Sequence, residues 1–411
     1  MIECYGDEMS SASTPWPATA GEEHRWRSSL PPEALSRSAA ERLRRPYTSA
    51  VVPRIADTDV RVPRATAAAA EEASRLIGDF DQEVGRNVAP FAAVLLRSES
   101  ASSSQIENLT SGARQIALAE IGEDARANAQ QIVGNVRAMT AAVNLSEGVD
   151  ITGILTMHDA LMSPAPYAGE LRTEQVWIGG TAYSPHDAVF TPPHHDRLTD
   201  DLADLVAFAR RTDVPALTHA AVAHAQFETI HPFVDGNGRT GRALIHALLR
   251  HRGLTRTVTV PVSAGLLVDT EGYFSALTAF RAGDAAPIVD ALSAAAVLSV
   301  SNGRRLVADL LDARATWAAN LTARADSAAW PLLDVVLRHP VLGTELVREQ
   351  LGVTQPNARR AIDRLVDAGA LVEVGGRRRS ILWQAPQVLT ALDEFAARAG
   401  RRRLGSPASV D

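Results

Sequence analysis

A mainly α-helical fold is predicted for this chain, interrupted by one β-hairpin near its middle and closed by a smaller unit of three helices and a second hairpin. Three observations carry the prediction. Apolar residues recur at helical spacing over much of the chain, as in Ile151, Ile154, Leu155, His158, Leu161 and Met162. Residues 172–193 switch to β-like composition with glycine punctuation. Beyond residue 328 three short helical patterns precede an extended segment, an arginine-rich turn and another extended segment.

Composition bounds the rest. A length of 411 residues suggests two or three domains. The formal net charge of −7 argues against a protein that coats nucleic acid generally. One cysteine, Cys4, cannot form an internal disulfide. The polar N-terminus lacks a signal-peptide pattern and no apolar run is read as long enough to span a bilayer, so a cytoplasmic protein with no membrane partner is expected. The chain has no lysine, which excludes a Walker A loop, a protein-kinase ATP site and a pyridoxal Schiff base. Any nucleotide must be held by arginines and backbone.

In chain order, residues 1–45 mix Ser, Pro, Arg and acidic residues without periodicity and read as a mobile leader. Residues 46–140 form an N-terminal helical region. A helix begins beyond Pro63, with Ala65–Ile77 rich in helix formers, and apolar Phe91–Leu96 leads into a polar stretch ending at Asn108. Ser103 and Glu107, four apart, share a helical face. Residues 112–143 read as one long alanine-rich helix.

Residues 141–300 form the core. The amphipathic helix from Ile151 carries His158 on its apolar face as a structural histidine, and Pro164 and Pro166 stop it. The hairpin follows. Adjacent His194 and His195 cannot share a helical or strand face, and no metal is expected there. Helices are predicted over 198–208, 220–230 and 243–251, then a β-rich or extended stretch at 258–263 and a helix carrying Tyr273 and Phe274. Residues 301–327 belong to a helix running from Ile288 to Leu321. Residues 328–385 are the second unit, with helices at 332–337, 345–351 and 355–368. The last buries Ala358, Ile362, Leu365 and Val366 and presents Gln355, Asn357, Arg360 and Arg364. Residues 386–411 are a tail with Arg401, Arg402 and Arg403.

The richest stretch runs from His231 through Pro232, Phe233, Val234, Asp235, Gly236, Asn237, Gly238, Arg239, Thr240 and Gly241 to Arg242. A neutral imidazole at His231 can take a proton from an incoming hydroxyl. Asp235 suits Mg²⁺, which takes few protein carboxylates. Gly236, Asn237 and Gly238 let backbone approach phosphates at a helix start, and Asn237 can hydrogen-bond one. Arg239 and Arg242, three apart, can fork onto outer phosphates.

This stretch resembles the Fic family signature at every specified position, and the preceding Phe227, Glu228, Thr229 and Ile230 are similar to the family's. The resemblance implies an all-helical Fic core with a β-hairpin flap, preceded by a helical N-terminal region; the winged helix that follows is a separate resemblance. It implies transfer of AMP from ATP to a Ser, Thr or Tyr hydroxyl of a protein, with His231 as base. Ser103, Glu107 and Asn108 resemble the family's inhibitory motif, in which the carboxylate pairs with Arg242 in place of the γ-phosphate. Glu107 could also orient a water for removal of AMP. Trp177, Ile178, Gly179 and Gly180 resemble the edge of the flap that receives a target segment. Tyr273 and Phe274 stand where the family often carries paired tyrosines near adenosine.

The second unit resembles a winged helix-turn-helix with Arg377, Arg378 and Arg379 in the wing, a module that meets DNA, a protein partner or a second protomer. Two functional classes follow. One is an autoinhibited AMP transferase; the other is a DNA-binding regulator whose Fic core senses nucleotide. A third reading keeps the fold and changes the donor to UMP, phosphocholine or a phosphoryl group.

Overall fold

The helix α8 (Ala216–Ile230) has no solvent face: every residue from Leu217 to Ile230 is buried. Alanines at 220, 221, 223 and 225 leave little side chain between it and its neighbours, so several helices approach closely around it. The computed structural model describes residues 16–27, 36–85, 89–123, 125–145, 148–374 and 381–400.

The first elements among the described residues are β1 (Ala20–Arg25), then α1 (Arg37–Leu43) and β2 (Pro46–Val51). The two strands pair antiparallel from Ala20 opposite Val51 to Arg25 opposite Pro46. This corrects the mobile leader within its described part. Trp16 is buried against Phe280, with ring centroids 5.4 Å apart, and Glu22 takes a two-pronged contact from Arg197 at 2.8 and 2.6 Å. None of these partners lies nearby in sequence. Cys4 lies outside the described residues.

Helix α2 (Arg64–Gly85) buries Ala70, Ala73, Ile77, Phe80 and Val84 at alternating three- and four-residue steps. Asp81, beside that stripe, accepts the backbone N–H groups of Arg256, Thr257 and Val258 at 2.8–3.0 Å, which fixes residues 256–260 as an irregular extended segment. Next come α3 (Ala89–Ile106), α4 (Ala113–Glu120), α5 (Ala127–Val143) and α6 (Ile151–Met162). The single helix expected over 112–143 is therefore two. The break falls at Gly122, whose φ of +73° ends α4. Asp150 caps α6 by accepting from Gly153 N at 2.6 Å.

Helices α7 (Leu198–Ala209), α9 (Asn237–His251) and α11 (Thr270–Arg281) pack on α8, while α10 (Val262–Leu266) packs on α3. Helix α12 (Ala286–Asn320) is the spine. Ile288, Val289, Leu292, Ala296, Val300, Gly303, Leu306 and Leu310 form its buried stripe, and it packs on α2, α8, α10 and α11. By length and mean hydropathy of 1.2 this helix could cross a membrane, contrary to the reading of the sequence, but half of its apolar window is buried inside the fold.

The C-terminal unit comprises α13 (Ala329–Arg338), β3 (Val341–Gly343), α14 (Thr344–Leu351), α15 (Gln355–Asp367), β4 (Val372–Val374) and β5 (Leu382–Gln384). Strand order is β3-β5-β4, both pairings antiparallel. On α15, Ala358, Ile362 and Leu365 are buried as expected, but Val366 is 37% exposed. The expected tail forms α16 (Pro386–Ala399), packed on α12, α3 and α4 through a buried stripe including Val388, Leu392 and Phe395. Arg377, Arg378 and Arg379 of the expected wing, and Arg401, Arg402 and Arg403, lie outside the described residues.

Candidate active site

Helix α8 ends on His231, which adopts φ 51° and ψ 62°, a left-handed conformation unusual for histidine. The turn sends Phe233 back into the core, where its ring stacks on His158 at 3.7 Å. His158 Nδ1 accepts from Gly169 N at 3.1 Å, so its Nε2 carries the proton and donates to Asp235 O at 3.0 Å. His158 is thus the structural histidine expected, and it shapes the loop from His231 to Asn237.

Asn237 corrects one expectation. Its Oδ1 accepts from Phe233 N and its Nδ2 donates to Phe233 O, both at 2.9 Å. The side chain staples the loop, with its oxygen and one of its two N–H groups committed to Phe233. What points outward is the first turn of α9, whose N–H groups have no intrahelical acceptor. Gly236 reaches φ +78° there, and a Cβ would lie 2.9 Å from Met162 Sδ. At Gly238 a Cβ would lie 2.5 Å from Glu107 Oε1, so only glycine admits that carboxylate.

Glu107 comes from the end of α3, where Asn108 at φ +61° stops the helix. Its Oε1 accepts from Arg242 Nη2 at 2.8 Å, and its Oε2 lies 2.7 Å from Arg239 Nε. Arg242 also donates to Ser103 Oγ and Ser103 O, each at 2.8 Å. Glu99, wholly buried one turn earlier, meets His246 Nε2 at 2.9 Å and accepts from Ser263 N at 2.9 Å. These contacts hold α3 in register with α9 and α10.

Asp235 keeps its carboxylate at the pocket wall, 58% exposed, with Oδ1 accepting from Gly236 N at 2.7 Å. One accessible carboxylate beside a row of helix-start N–H groups fits Mg²⁺ shared with phosphate oxygens. Burial beside Arg172 and Arg281 pushes His231 down to about 3, so its imidazole is neutral, and Nδ1 has no partner among the described residues.

These residues line one cavity of about 740 Å³, roofed by the flap and floored by α11. The flap is less regular than the hairpin expected: Ile178 N donates to Phe190 O and Val189 N to Ile178 O, each at 2.8 Å, and one further isolated bridge pairs Thr181 with Ser184. Gly179 and Gly180, at φ +73° and +74°, turn the chain out of the ladder. Trp177 donates to Thr181 O at 2.7 Å and packs edge-on against Trp26. On α11, Tyr273 lines the cavity with its hydroxyl committed to His224 Nε2 at 2.7 Å, whereas the Phe274 ring is 51% exposed and free to stack.

Three functional residues escaped the sequence. Arg172, 3% exposed, donates through Nε to His231 O at 2.9 Å, through Nη1 to Glu174 O at 3.1 Å and through Nη2 to Pro193 O at 2.5 Å. One guanidinium thereby ties both ends of the flap to the catalytic loop. Arg281 lies 3.8 Å over the Phe190 ring and donates to Glu228 O at 3.4 Å. Glu228 sits buried in the cavity wall with Oε1 unpartnered, and desolvation raises its carboxyl to about 7 against the pull of Arg242. Glu228 adjoins the signature and carried that much signal; Arg172 lies 59 residues from its partner and carried none.

His194, His195 and Asp196, not expected to form a metal set, do bring one ligand atom each within 4.8 Å of one another. The His24 ring stacks parallel on His194 at 4.4 Å, which favours ring packing over convergence of lone pairs. On α15, Gln355, Arg360 and Arg364 are exposed; Arg360 bonds Asn357 Oδ1, and Arg364 donates to Thr322 O at 2.6 Å.

The model of the Fic/DOC family matches residues 148–249. Protein adenylyltransferase fic-1 of Caenorhabditis briggsae is 31% identical over 147 residues, 34% of this chain and 26% of that protein. Protein adenylyltransferase Fic of Drosophila willistoni is 33% identical over 109 residues, 26% of this chain and 20% of that protein. The chain thus spans about a quarter of the length of these curated relatives. Among solved structures, a Fic family protein from Desulfovibrio desulfuricans G20 shares the fold at a TM-score of 0.51 and 21% identity, covering 79% of this chain and 97% of that one. With the signature, the loop it builds and these likenesses in agreement, residues 148–249 are a domain of the Fic/DOC family.

Proposed function

We propose that this chain transfers AMP from ATP to a hydroxyl side chain of a target protein or of itself, and that Glu107 holds the reaction in check. The observation that carries the reading is Glu107 paired at once with Arg239 and Arg242, the two cations placed to grip the outer phosphates. Neutral His231 accepts the hydroxyl proton as the oxygen bonds to the α-phosphorus. The bond from that phosphorus to the bridging oxygen breaks, and pyrophosphate leaves. Asp235 would hold Mg²⁺, which supplies charge neutralisation to the phosphates when bound. The first-turn N–H groups of Asn237, Gly238 and Arg239 fix the phosphate chain, while Phe274 offers the nucleoside a ring.

Retention of label tests this. The full chain carrying Glu107→Gly is incubated with cell extract and ATP labelled on either the α- or the γ-phosphorus. Label kept on protein from α only supports AMP transfer. Label from γ only moves the reading to phosphoryl transfer, and none from either moves it to another donor or to a nucleotide-sensing regulator. DNA contact through α15 is a second reading, favoured by the exposure of Gln355, Arg360 and Arg364 along one helix. It predicts salt-sensitive binding that is lost when Arg360 and Arg364 are changed together.

A further inference from the structure

Helix α3 has two working faces. Glu99 and Ser103, with Glu107 just past the helix end, look toward α9 and α10; Ser98, Ala101, Ser102 and Gln105 line a separate cavity of about 310 Å³ on the reverse side. That cavity is closed by α4, α5 and α16, and Thr110, Ser111 and Gly112, three to five residues past Glu107, form part of its wall. The helix that carries the inhibitory carboxylate is therefore also one side of a second chamber.

The chamber is built for an anion with an apolar body. Arg97 is 6% exposed, donates through Nε to Glu120 Oε1 and through Nη2 to Arg338 O, both at 2.7 Å, and leaves Nη1 without a partner. Ser98 Oγ, on a residue 4% exposed, and Ser111 Oγ are unpartnered too. Three buried donors on residues lining this cavity, without acceptors among the described residues, are unfavourable unless something supplies oxygens. Arg126 adds a second guanidinium at the rim, while Asp393 is engaged through Oδ1 with Ala113 N at 2.9 Å. Ile116, Ile132, Leu392 and Phe395 provide the apolar wall. A volume of this order suits a small ring compound.

We propose that this cavity is a regulatory site for a small aryl carboxylate, and that the bound acid clamps α3 to α16 and so keeps Glu107 on Arg239 and Arg242. The carboxylate accepts from Arg97 Nη1 and the serine hydroxyls, and the ring lies on the isoleucine and phenylalanine wall. Only the coupling rests on the function proposed above; the binding does not.

The probe is 2-naphthoate, with neutral 2-naphthamide as control, titrated calorimetrically into the full chain, into Arg97→Gln and into the cavity-filling Ala101→Leu. Wild type is expected to bind the acid at least about tenfold more tightly than the amide. Arg97→Gln erases that preference, and Ala101→Leu weakens both ligands by about tenfold or more. Saturating 2-naphthoate is expected to weaken ATP binding by roughly threefold or more, with ATP weakening the acid by the same factor. Absence of 2-naphthoate binding, equal affinity for acid and amide, or indifference to Ala101→Leu overturns the site. Binding of the acid with ATP affinity unchanged overturns the coupling, whatever reaction the active site performs.

Discussion

Glu107 Oε1 lies 2.8 Å from Nη2 of Arg242, a guanidinium only 2% exposed. Burial makes the pair consequential in both directions: the arginine needs a negative partner, and while Glu107 supplies it a phosphate cannot. Changing Glu107 to Gly is expected to raise label transfer from ATP by about tenfold or more. It should also lower stability by about 1–3 kcal/mol, because Arg242 then keeps only its two contacts to Ser103. Urea unfolding and transfer assays on the same preparation check both.

Arg172 offers a second test. Arg172→Met preserves much of the apolar stem but leaves the carbonyls of His231, Glu174 and Pro193 without their donor. A loss of about 3 kcal/mol in urea unfolding is expected, and transfer should fall by roughly 10²-fold as His231 loses its position. Full activity in this variant would show that the flap and the catalytic loop need no tie.

The pH dependence follows from three buried groups. With His231 pushed down to about 3, its protonation cannot produce an acid limb near neutrality, and the rate measured in Glu107→Gly should be flat in this respect from about pH 6 to 8. Glu228 acts on stability. Its carboxyl is raised from 4.5 to about 7, so the folded state binds the proton more tightly; that contribution is complete below 4.5 and is lost as pH rises through 7. Glu228→Gln is therefore expected to gain on wild type between pH 5 and pH 8, by on the order of 3 kcal/mol. His224 works in the opposite sense: desolvation lowers it from 6.5 to about 3, so wild type loses stability as pH falls below 6.5. Denaturant midpoints across pH for both proteins separate the two.

Gly236 tests the loop itself. Gly236→Ala places a Cβ 2.9 Å from Met162 Sδ at a φ of +78°. A destabilisation of about 1–2 kcal/mol is expected, read as a lowered thermal midpoint.

How much of this was legible depended on distance along the chain. The stretch from His231 to Arg242 could be read because its parts are contiguous, and Ser103 with Glu107 because four residues make one helical step. Asn237 was assigned to phosphate since its type permits it; only the fold reveals that Phe233 occupies both ends of its amide. The strand β1 was missed because its sequence shows no apolar alternation, and its order comes from pairing with β2 and from Arg197. Residues 112–143 read as one helix since alanine masks the stop that Gly122 imposes. Arg172 had no local signal, because all its work is done on carbonyls brought to it by the turn at His231.

The most direct test of the account compares transfer of label from α-labelled ATP in wild type, Glu107→Gly, and Glu107→Gly combined with His231→Ala. The account predicts weak labelling in the first, strong labelling in the second and none in the third. Equal labelling in wild type and Glu107→Gly, or labelling that persists without His231, would contradict it.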